Sequence, residues 1–274
     1  MRRASGVRMS DRLARGTFVV ALLAVFVLPL VVLALTALSS RWPYPRLVPE
    51  GLSLRSLRFI RDNAPGIVLS LRSSLGYSTL TALAAFALSI VPAQALARHE
   101  FRGRLLVEAL LLSPVVIPAI TYAMGMHFVL IRFGLADRLF GVVVVLTAAS
   151  YPYMLRALIQ GFRNVDPDID VCAANLGAGA LRRLLTVHIP LLGPAITAGG
   201  SIVFLVAFSE YYLVFLIGGG RIDSFTGYLY PFLTSSDRPL SAVLTMLFVL
   251  VPLLLFLIIE VVLARYYRRR GLRS

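Results

Sequence analysis

The residue types of this chain limit the chemistry that it can perform. All 27 of its basic residues are arginine, and because it has no lysine it cannot form the Gly-x-x-x-x-Gly-Lys loop that holds ATP phosphates. Neither a Gly-x-Ser-x-Gly nor a His-Glu-x-x-His pattern occurs. The single cysteine, Cys172, excludes an internal disulfide framework and a multi-cysteine metal site. We therefore expect no catalytic residue, metal site or cofactor in this chain, which leaves solute binding or the transmission of movement.

Five side chains within apolar stretches are candidates for lining the path of a solute. Glu210 is the one acidic residue deep inside an apolar stretch, where a carboxylate normally faces a protein or water-filled interior. It either lines the path and favours a cationic solute, or bonds to a tyrosine or a neighbouring subunit. Phe208 and Tyr211 belong to an aromatic stripe beside it, a pattern that is also typical of subunit packing. Tyr122 and His127 lie in an earlier apolar stretch, where a lone histidine is also typical of a structural hydrogen bond.

The polar connection at 161–189 carries the most specific pattern. Asp166 is a good N-cap, Pro167 suits the first helical position, and two further aspartates complement the positive end of the helix. Gly177 is a natural stop, because a left-handed residue after a helix favours glycine. A second short helix then runs into Pro190 at the start of an apolar stretch. The sequence thus predicts two short helices joined by a glycine elbow, which together form a docking surface.

The spacing in this connection resembles the cytoplasmic loop of permease subunits of binding-protein-dependent ABC importers. That pattern is Glu-Ala-Ala, three residues, Gly, and later a hydrophobic-x-hydrophobic-Pro ending. Here Cys172-Ala173 stand at the alanine pair, Leu176-Gly177-Ala178 follow, and Val-His-Ile-Pro occupies 187–190. The family glutamate falls at Val171, and the neighbouring Asp170 retains a carboxylate that points about 100° away on a helix. The resemblance assigns ATPase coupling to Asp166, Asp170, Val171, Cys172, Ala173, Leu176, Gly177, Ala178 and Pro190.

The resemblance implies a non-enzymatic subunit that forms the translocation path for a small polar solute. Its implied partners are an external solute-binding protein, a second permease subunit and two ATPase subunits, which bind the ATP and Mg²⁺. The segments at 216–220 and 225–240 are most similar to permeases for polyamines, thiamine and ferric ion, and Glu210 favours a polyamine-like or other cationic cargo, while sugar, phosphonate and anion cargo stay open. A secondary transporter or a membrane scaffold without ATPase coupling is the alternative function. A secondary transporter commonly shows an internal repeat, and no repeat is visible here.

The composition indicates that these residues are held by membrane helices. Of the 274 residues, 58% are hydrophobic and 15% are charged, with a mean hydropathy of +0.84. Too few polar residues remain to coat a soluble domain, so the net charge of +14 does not indicate a nucleic-acid binder. A helix needs about 20 apolar residues to cross a bilayer. We expect an all-α membrane protein of the type I importer kind, with one domain over 1–274 and six spans at 17–38, 73–97, 109–131, 139–156, 189–217 and 239–260.

The arginines predict how these spans are oriented. With both termini in the cytoplasm, 17 arginines lie on the inner side and 10 on the outer side, as expected when positive residues favour the cytoplasm. The 161–189 loop is then cytoplasmic, and the resemblance to importer permeases implies a location in a bacterial inner membrane. The first span is longer than a signal-peptide core, so we expect an uncleaved anchor. The arginines at 41–61 lie outside and are not explained by orientation; their segment, 39–66, is expected to lie on the outer leaflet as a partly helical stretch.

Overall fold

A computed structural model describes the backbone of residues 4–43 and 45–269 and the side chains of 15–43, 45–262 and 265. This part of the chain is helical, and the β-type pairing within it is an isolated bridge between Ser39 and Leu52. The α-helices are α1 (Ala4–Ala37), α2 (Arg55–Asp62), α3 (Ala64–Arg98), α4 (Arg104–Leu112), α5 (Ala119–Arg132), α6 (Leu139–Asn164), α7 (Pro167–Asn175), α8 (Ala180–Arg183), α9 (Ile189–Leu191), α10 (Gly193–Ser209), α11 (Tyr212–Gly218), α12 (Phe225–Leu233) and α13 (Arg238–Arg269). A π-helical turn, Leu184–His188, joins α8 to α9 without a break.

These helices form two compact units. One contains the residues before Pro65 together with those from Leu229 onward, and here α1 and α2 pack against α13. Phe59 of α2 meets Phe232 edge to face, with ring centroids 5.5 Å apart. The helical α2 confirms that the segment after the first span is partly helical. The other unit, residues 65–228, contains the candidate coupling and path residues.

The unit formed by residues 65–228 is built on α6, against which α10 makes its most extensive packing. Gly199 of α10 permits this close approach. A Cβ atom there would lie 2.9 Å from that of Ala157 and 3.0 Å from Sδ of Met154. One buried cluster fills the half of this unit near the end of α6 and includes Leu155, Leu158, Phe162 and Leu192. A second cluster at the opposite end of α6 includes Tyr77, Val145, Leu146 and Ile217. Dense packing of this kind holds α6 and α10 closely together.

Four of the described helices are long and apolar enough to cross a membrane, and two bent pairs raise the number to six if each is one span. The four helices contain the predicted spans 17–38, 73–97, 139–156 and 239–260, apart from an end residue of the first. Each helix extends beyond at least one predicted end; α6, for example, begins at the predicted Leu139 but continues to Asn164. The orientation of the termini and the single-domain division of 1–274 stay predictions.

The other two predicted spans are not continuous helices, and a proline lies at or just after each of their sharp bends. In the span predicted at 109–131, Arg104–Val115 and Ala119–Arg132 meet at 94°. Pro118, at the break, has φ −55° and ψ 132°, and a proline disfavours a helical conformation of the residue before it. In the span predicted at 189–217, the continuous helical stretch Ala180–Leu191 meets α10 at 79°. Pro194, after this second break, lacks the N–H that would continue the helical hydrogen bonds.

Candidate functional site

The start of α7 is fixed by the predicted cap. The carboxylate of Asp166 accepts a hydrogen bond from the backbone N–H of Asp168 at 3.0 Å, and Pro167 occupies the first helical position. Two acidic residues lie in the first turn, where they complement the helix dipole. The predicted N-terminus of the first short helix is therefore confirmed.

The end of α7 is fixed by Gly177. Its φ of +81° is left-handed, and its N–H donates to the carbonyl of Ala174 at 2.9 Å. The next N–H, that of Ala178, donates to the carbonyl of Ala173 at 3.1 Å. Together the two bonds form a Schellman motif, the standard way to close a helix on a left-handed residue. A Cβ atom at Gly177 would meet nothing within 4 Å, so the position requires glycine for its backbone conformation and not for space.

Asp170 ties α7 to the helical stretch that follows it. Its Oδ2 lies 3.2 Å from Nη1 of Arg183, and its Oδ1 lies 3.0 Å from Nε2 of His188. The His188 ring is buried and meets Phe162 of α6 edge to face at 5.4 Å. We call Asp170, Arg183 and His188 the clamp. It fixes α7 relative to the end of α6 and to the helix that enters the next span.

The clamp gives Asp170 an intramolecular role that its sequence position did not reveal. From the sequence we expected Asp170 to be the nearest substitute for the family glutamate, whose position is occupied by Val171. In the structure the Asp170 carboxylate instead contacts Arg183 and His188 of the same chain. Sequence analysis did not predict these two partners. Arg183 and His188 are 13 and 18 residues away from Asp170 along the chain, so no spacing within one helix indicates the contacts. The outward position is left to Val171, whose side chain is 55% exposed.

An apolar surface projects from this segment. Its members are large aliphatic side chains that are exposed in this chain, and we call them the coupling surface: Ile169, Val171, Leu176, Leu181 and Leu185. Leu176, at the tip just before the glycine elbow, is 88% exposed. Cys172 is exposed and free, and Pro190 is half-buried within α9. Exposed large apolar side chains that are concentrated on one short segment are typical of an interaction site, so the coupling surface is a candidate docking site.

Glu210 lies at a break in the helix and not inside one. It separates α10 from α11 with an extended ψ of 114°. Its Oε1 accepts a hydrogen bond from the N–H of Leu213 at 3.2 Å, which satisfies a donor in the first turn of α11. Its backbone carbonyl accepts from the hydroxyl of Thr226 at 3.3 Å. The carboxylate therefore stabilises the break, a role that the sequence alternatives did not include.

The other four path candidates have different environments. Phe208 is 1% exposed and stacks on Phe204 with ring centroids 5.9 Å apart, so its side chain lies in the core of this unit, and its role in the path stays a prediction. Tyr211 is half-buried and stacks on Phe215 at 5.7 Å. Tyr122 is half-buried against the cluster that contains Tyr77. The Nδ1 atom of His127 is buried and has no hydrogen-bond partner among the described residues.

Comparison with protein families identifies the family of this chain. The sequence model of the family described as "Binding-protein-dependent transport system inner membrane component" matches residues 85–270. The match covers more than half of the chain and includes the clamp, the coupling surface and Glu210. The chain belongs to this family. The ABC importer permease family expected from the 161–189 connection is thereby confirmed.

Several curated relatives share part of this permease. Over 153 residues it is 30% identical to the molybdate/tungstate transport system permease protein WtpB of Thermococcus kodakarensis, covering 56% of this chain and 62% of that one. It is 28% identical over 154 residues to the molybdenum transport system permease protein ModB of Escherichia coli K12, covering 50% and 66%. It is 26% identical over 160 residues to the trehalose/maltose permease MalG of Thermococcus litoralis, covering 58% of each chain. The match thus spans less than two thirds of the Thermococcus kodakarensis relative.

A solved structure shows the same fold over nearly the whole permease. A chain of a bacterial ABC transporter involved in the import of the acidic polysaccharide alginate superposes with a TM-score of 0.69 at 15% identity. The superposition covers 95% of this chain and 97% of that one. A second structure, of the alginate transporter with its pentasaccharide-bound periplasmic protein, gives a TM-score of 0.67 at 14% identity. The fold is therefore that of a type I ABC importer permease.

Proposed function

We propose that this permease is the transmembrane subunit of an ATP-driven importer and couples to ATPase subunits through Pro167–Leu191. The observation that carries the proposal is the coupling surface, an exposed apolar patch on a segment that the clamp holds against α6. Two ATPase subunits bind ATP and Mg²⁺, a second permease chain completes the path, and an external binding protein delivers the solute. This chain performs no catalytic step.

The mechanism follows from how the segment is connected. A movement imposed on Leu176 reaches Asp170 through one short helix, and the clamp passes it to the stretch that contains Arg183 and His188. That stretch enters α10 at the break near Leu192, which is itself buried. Since α10 packs closely on α6, the displaced elements move as rigid bodies about the breaks. Rocking of packed elements between two arrangements is a common way to convert a local movement into a global one.

For the cargo, we propose a tetrahedral oxyanion of the molybdate or tungstate type. Two of the relatives described above carry molybdate, tungstate or molybdenum in their names. This replaces the expected polyamine, thiamine or ferric cargo, which rested on the segments at 216–220 and 225–240 and, for a cation, on Glu210. In the structure the Glu210 carboxylate accepts a hydrogen bond from the N–H of Leu213 at the helix break. A sugar is the second candidate, supported by the trehalose/maltose relative.

The orientation proposed for this permease places the coupling segment in the cytoplasm, with both termini on the same side. The excess of arginines on that side supports it. The family description as an inner membrane component supports a bacterial inner-membrane location.

Copurification tests the coupling role. The tagged full chain is isolated from membranes of its own host, and an associated subunit with an ATP-binding lysine loop is identified. We expect Leu176→Asp to reduce the amount of bound ATPase at least about tenfold, because it places an unpaired charge in an apolar contact. Leu47→Asp is the matched control, since Leu47 is 93% exposed and lies outside the coupling segment. Equal ATPase recovery with both variants, or no ATPase with the unmodified chain, contradicts the proposal.

Metal accumulation tests the cargo separately. Cells that lack this chain are compared with complemented cells for uptake of molybdate, tungstate, maltose and putrescine. We expect cellular molybdenum and tungsten to fall and to recover on complementation, with putrescine uptake unchanged. Loss of maltose or putrescine uptake alone would contradict the oxyanion cargo while leaving the importer role intact.

A further inference from the structure

A polar cavity of about 470 Å³ lies at the end of α1 and the start of α13, within the unit that contains both helices. It is open on one side. Its lining includes the guanidinium-bearing residues Arg41, Arg55 and Arg238, together with Trp42 and Asp237. The path and the coupling surface belong to the other unit, so neither role assigned above accounts for this cavity.

The charge of the cavity is positive. Asp237 is the only carboxylate in its lining, and it is already engaged, because its Oδ2 lies 2.6 Å from Nη2 of Arg55. Its Oδ1 accepts from the N–H of Leu240 at 3.4 Å and so caps α13. Within the described part of the chain, Arg41 and Arg238 have no ion-pair partner. Two arginines without an ion-pair partner among the described residues therefore line the same small volume.

The cavity also lies at a definite depth relative to a membrane. The apolar span Arg15–Ala37 ends beside it, and the apolar span Arg238–Val262 begins in it. The cavity is therefore at the level where the hydrocarbon core gives way to lipid headgroups. Trp42 lines it and donates its indole N–H to the carbonyl of Arg46 at 2.8 Å. Tryptophan is enriched at this level, because one part of its ring is apolar and the other is polar.

The apolar span that ends at this cavity supports a lipid as its occupant. Between Arg15 and Ala37 none of the most apolar window is buried inside this chain. Acyl chains can therefore lie along α1 while the headgroup reaches the arginines. Guanidinium groups suit phosphate because they form two parallel charge-assisted hydrogen bonds to its oxygens.

We propose that this cavity binds the phosphate of an anionic membrane phospholipid, with Arg41 and Arg238 as the phosphate ligands. Arg55 holds Asp237 and thereby shapes the wall. Arg41 and Arg238 lie on the side of the membrane at which α1 ends. The preference of positive residues for the cytoplasm does not explain the positive charge on that side, and the proposal gives these two arginines a role. It does not depend on the importer function or on the identity of the cargo.

Native mass spectrometry of the purified full chain tests the proposal. The probes are phosphatidylglycerol and phosphatidylcholine with identical acyl chains, added in equal amounts. We expect the unmodified chain to retain phosphatidylglycerol preferentially, and Arg41→Gln/Arg238→Gln to reduce that retention about tenfold. Arg58→Gln/Arg61→Gln is the matched control, because it removes two positive charges from the neighbouring α2 without altering the cavity lining. The control is expected to keep the preference.

Several results overturn the proposal. Equal retention of the two lipids by the unmodified chain overturns it without any variant. An equal loss of phosphatidylglycerol retention in both double variants also overturns it. If inorganic phosphate protects the unmodified chain against thermal unfolding and the Arg41→Gln/Arg238→Gln variant is not protected, the site is for free anions and not for lipid. If lipid retention is unchanged in that variant while stimulation by the external binding protein falls, the arginines serve protein docking instead. If the glutamine variant does not fold, Arg41→Lys/Arg238→Lys replaces it, and unchanged retention contradicts bidentate binding.

Discussion

Replacing Asp170 with alanine removes the acceptor that holds the clamp together. His188 then keeps a buried ring nitrogen without its partner, and Arg183, whose Nε already lacks a hydrogen bond, loses its charged partner. Leaving a buried polar group unsatisfied costs about 1–3 kcal/mol. Arg183 is 28% exposed and can turn toward water, so its share lies at the low end. The sum is about 2–4 kcal/mol, which corresponds to about 30- to 1,000-fold in the equilibrium for opening α7.

Hydrogen–deuterium exchange of the full chain measures this opening directly. No residue of α7 is buried, so apolar packing does little to hold the helix closed, and exchange of its amides reports the clamp. We expect faster exchange over α7 and unchanged exchange in α6. Asp168→Ala is the matched control, because it makes the same change in the same helix without touching Arg183 or His188.

The reasoning is refuted if Asp170→Ala and Asp168→Ala accelerate exchange of α7 equally, because the loss of the clamp would then contribute nothing. It is also refuted if Asp170→Ala opens α6 as much as α7. That result would mean that the substitution unfolds the unit as a whole and that α7 has no separate opening.

Three further substitutions test other parts of the structure. Gly177→Ala should destabilise the end of α7 by about 1–2 kcal/mol and uncouple ATP hydrolysis from uptake. Gly179→Ala is the control, because Gly179 has a φ of −64°, and it should have neither effect. Equal hydrogen–deuterium exchange rates of α7 in the two variants would contradict the requirement for a left-handed residue at 177. Gly199→Ala should lower the melting temperature, because its Cβ would lie 2.9 Å from a neighbouring Cβ, and Gly200→Ala, whose nearest atom is 3.7 Å away, should leave it unchanged. Glu210→Gln should retain uptake and stability, since an amide oxygen still accepts the hydrogen bond from the N–H of Leu213. Glu210→Ala should lower the free energy of unfolding by about 1 kcal/mol. Loss of uptake in a stable glutamine variant would support a role for the charge in the path.

The sequence predicted the membrane helices well where hydrophobicity alone decides. Uninterrupted apolar runs such as 239–260 became single helices, because a long apolar segment must satisfy its backbone hydrogen bonds internally. The spans at 109–131 and 189–217 were wrong as continuous helices. Hydrophobicity does not register the backbone restrictions at Pro118 and Pro194, and apolar length does not distinguish these prolines from Pro92 and Pro252, which lie inside continuous helices.

In the candidate site, too, local features could be predicted from the sequence and contacts between distant residues could not. Local patterns predicted the cap at Asp166 and the stop at Gly177, because both depend on hydrogen bonds within a few residues. The partners of Asp170 depend on how two helices fold back on each other, which spacing along the chain does not encode. Likewise, the 3–4 periodicity that includes Phe208 marks a face of the helix and not what covers that face, so the burial of Phe208 was not foreseen.

The bonds that shape α7 all lie within this chain. Its cap, its glycine closure and its clamp connect residues between Asp166 and His188, so these bonds give the segment a defined form from its own residues. A protein that docks on Leu176 therefore meets a preorganised surface, and association loses little conformational entropy. Such an interface can form and dissociate in every transport cycle without refolding, so the strength of binding can be modest while the geometry that transmits force stays constant.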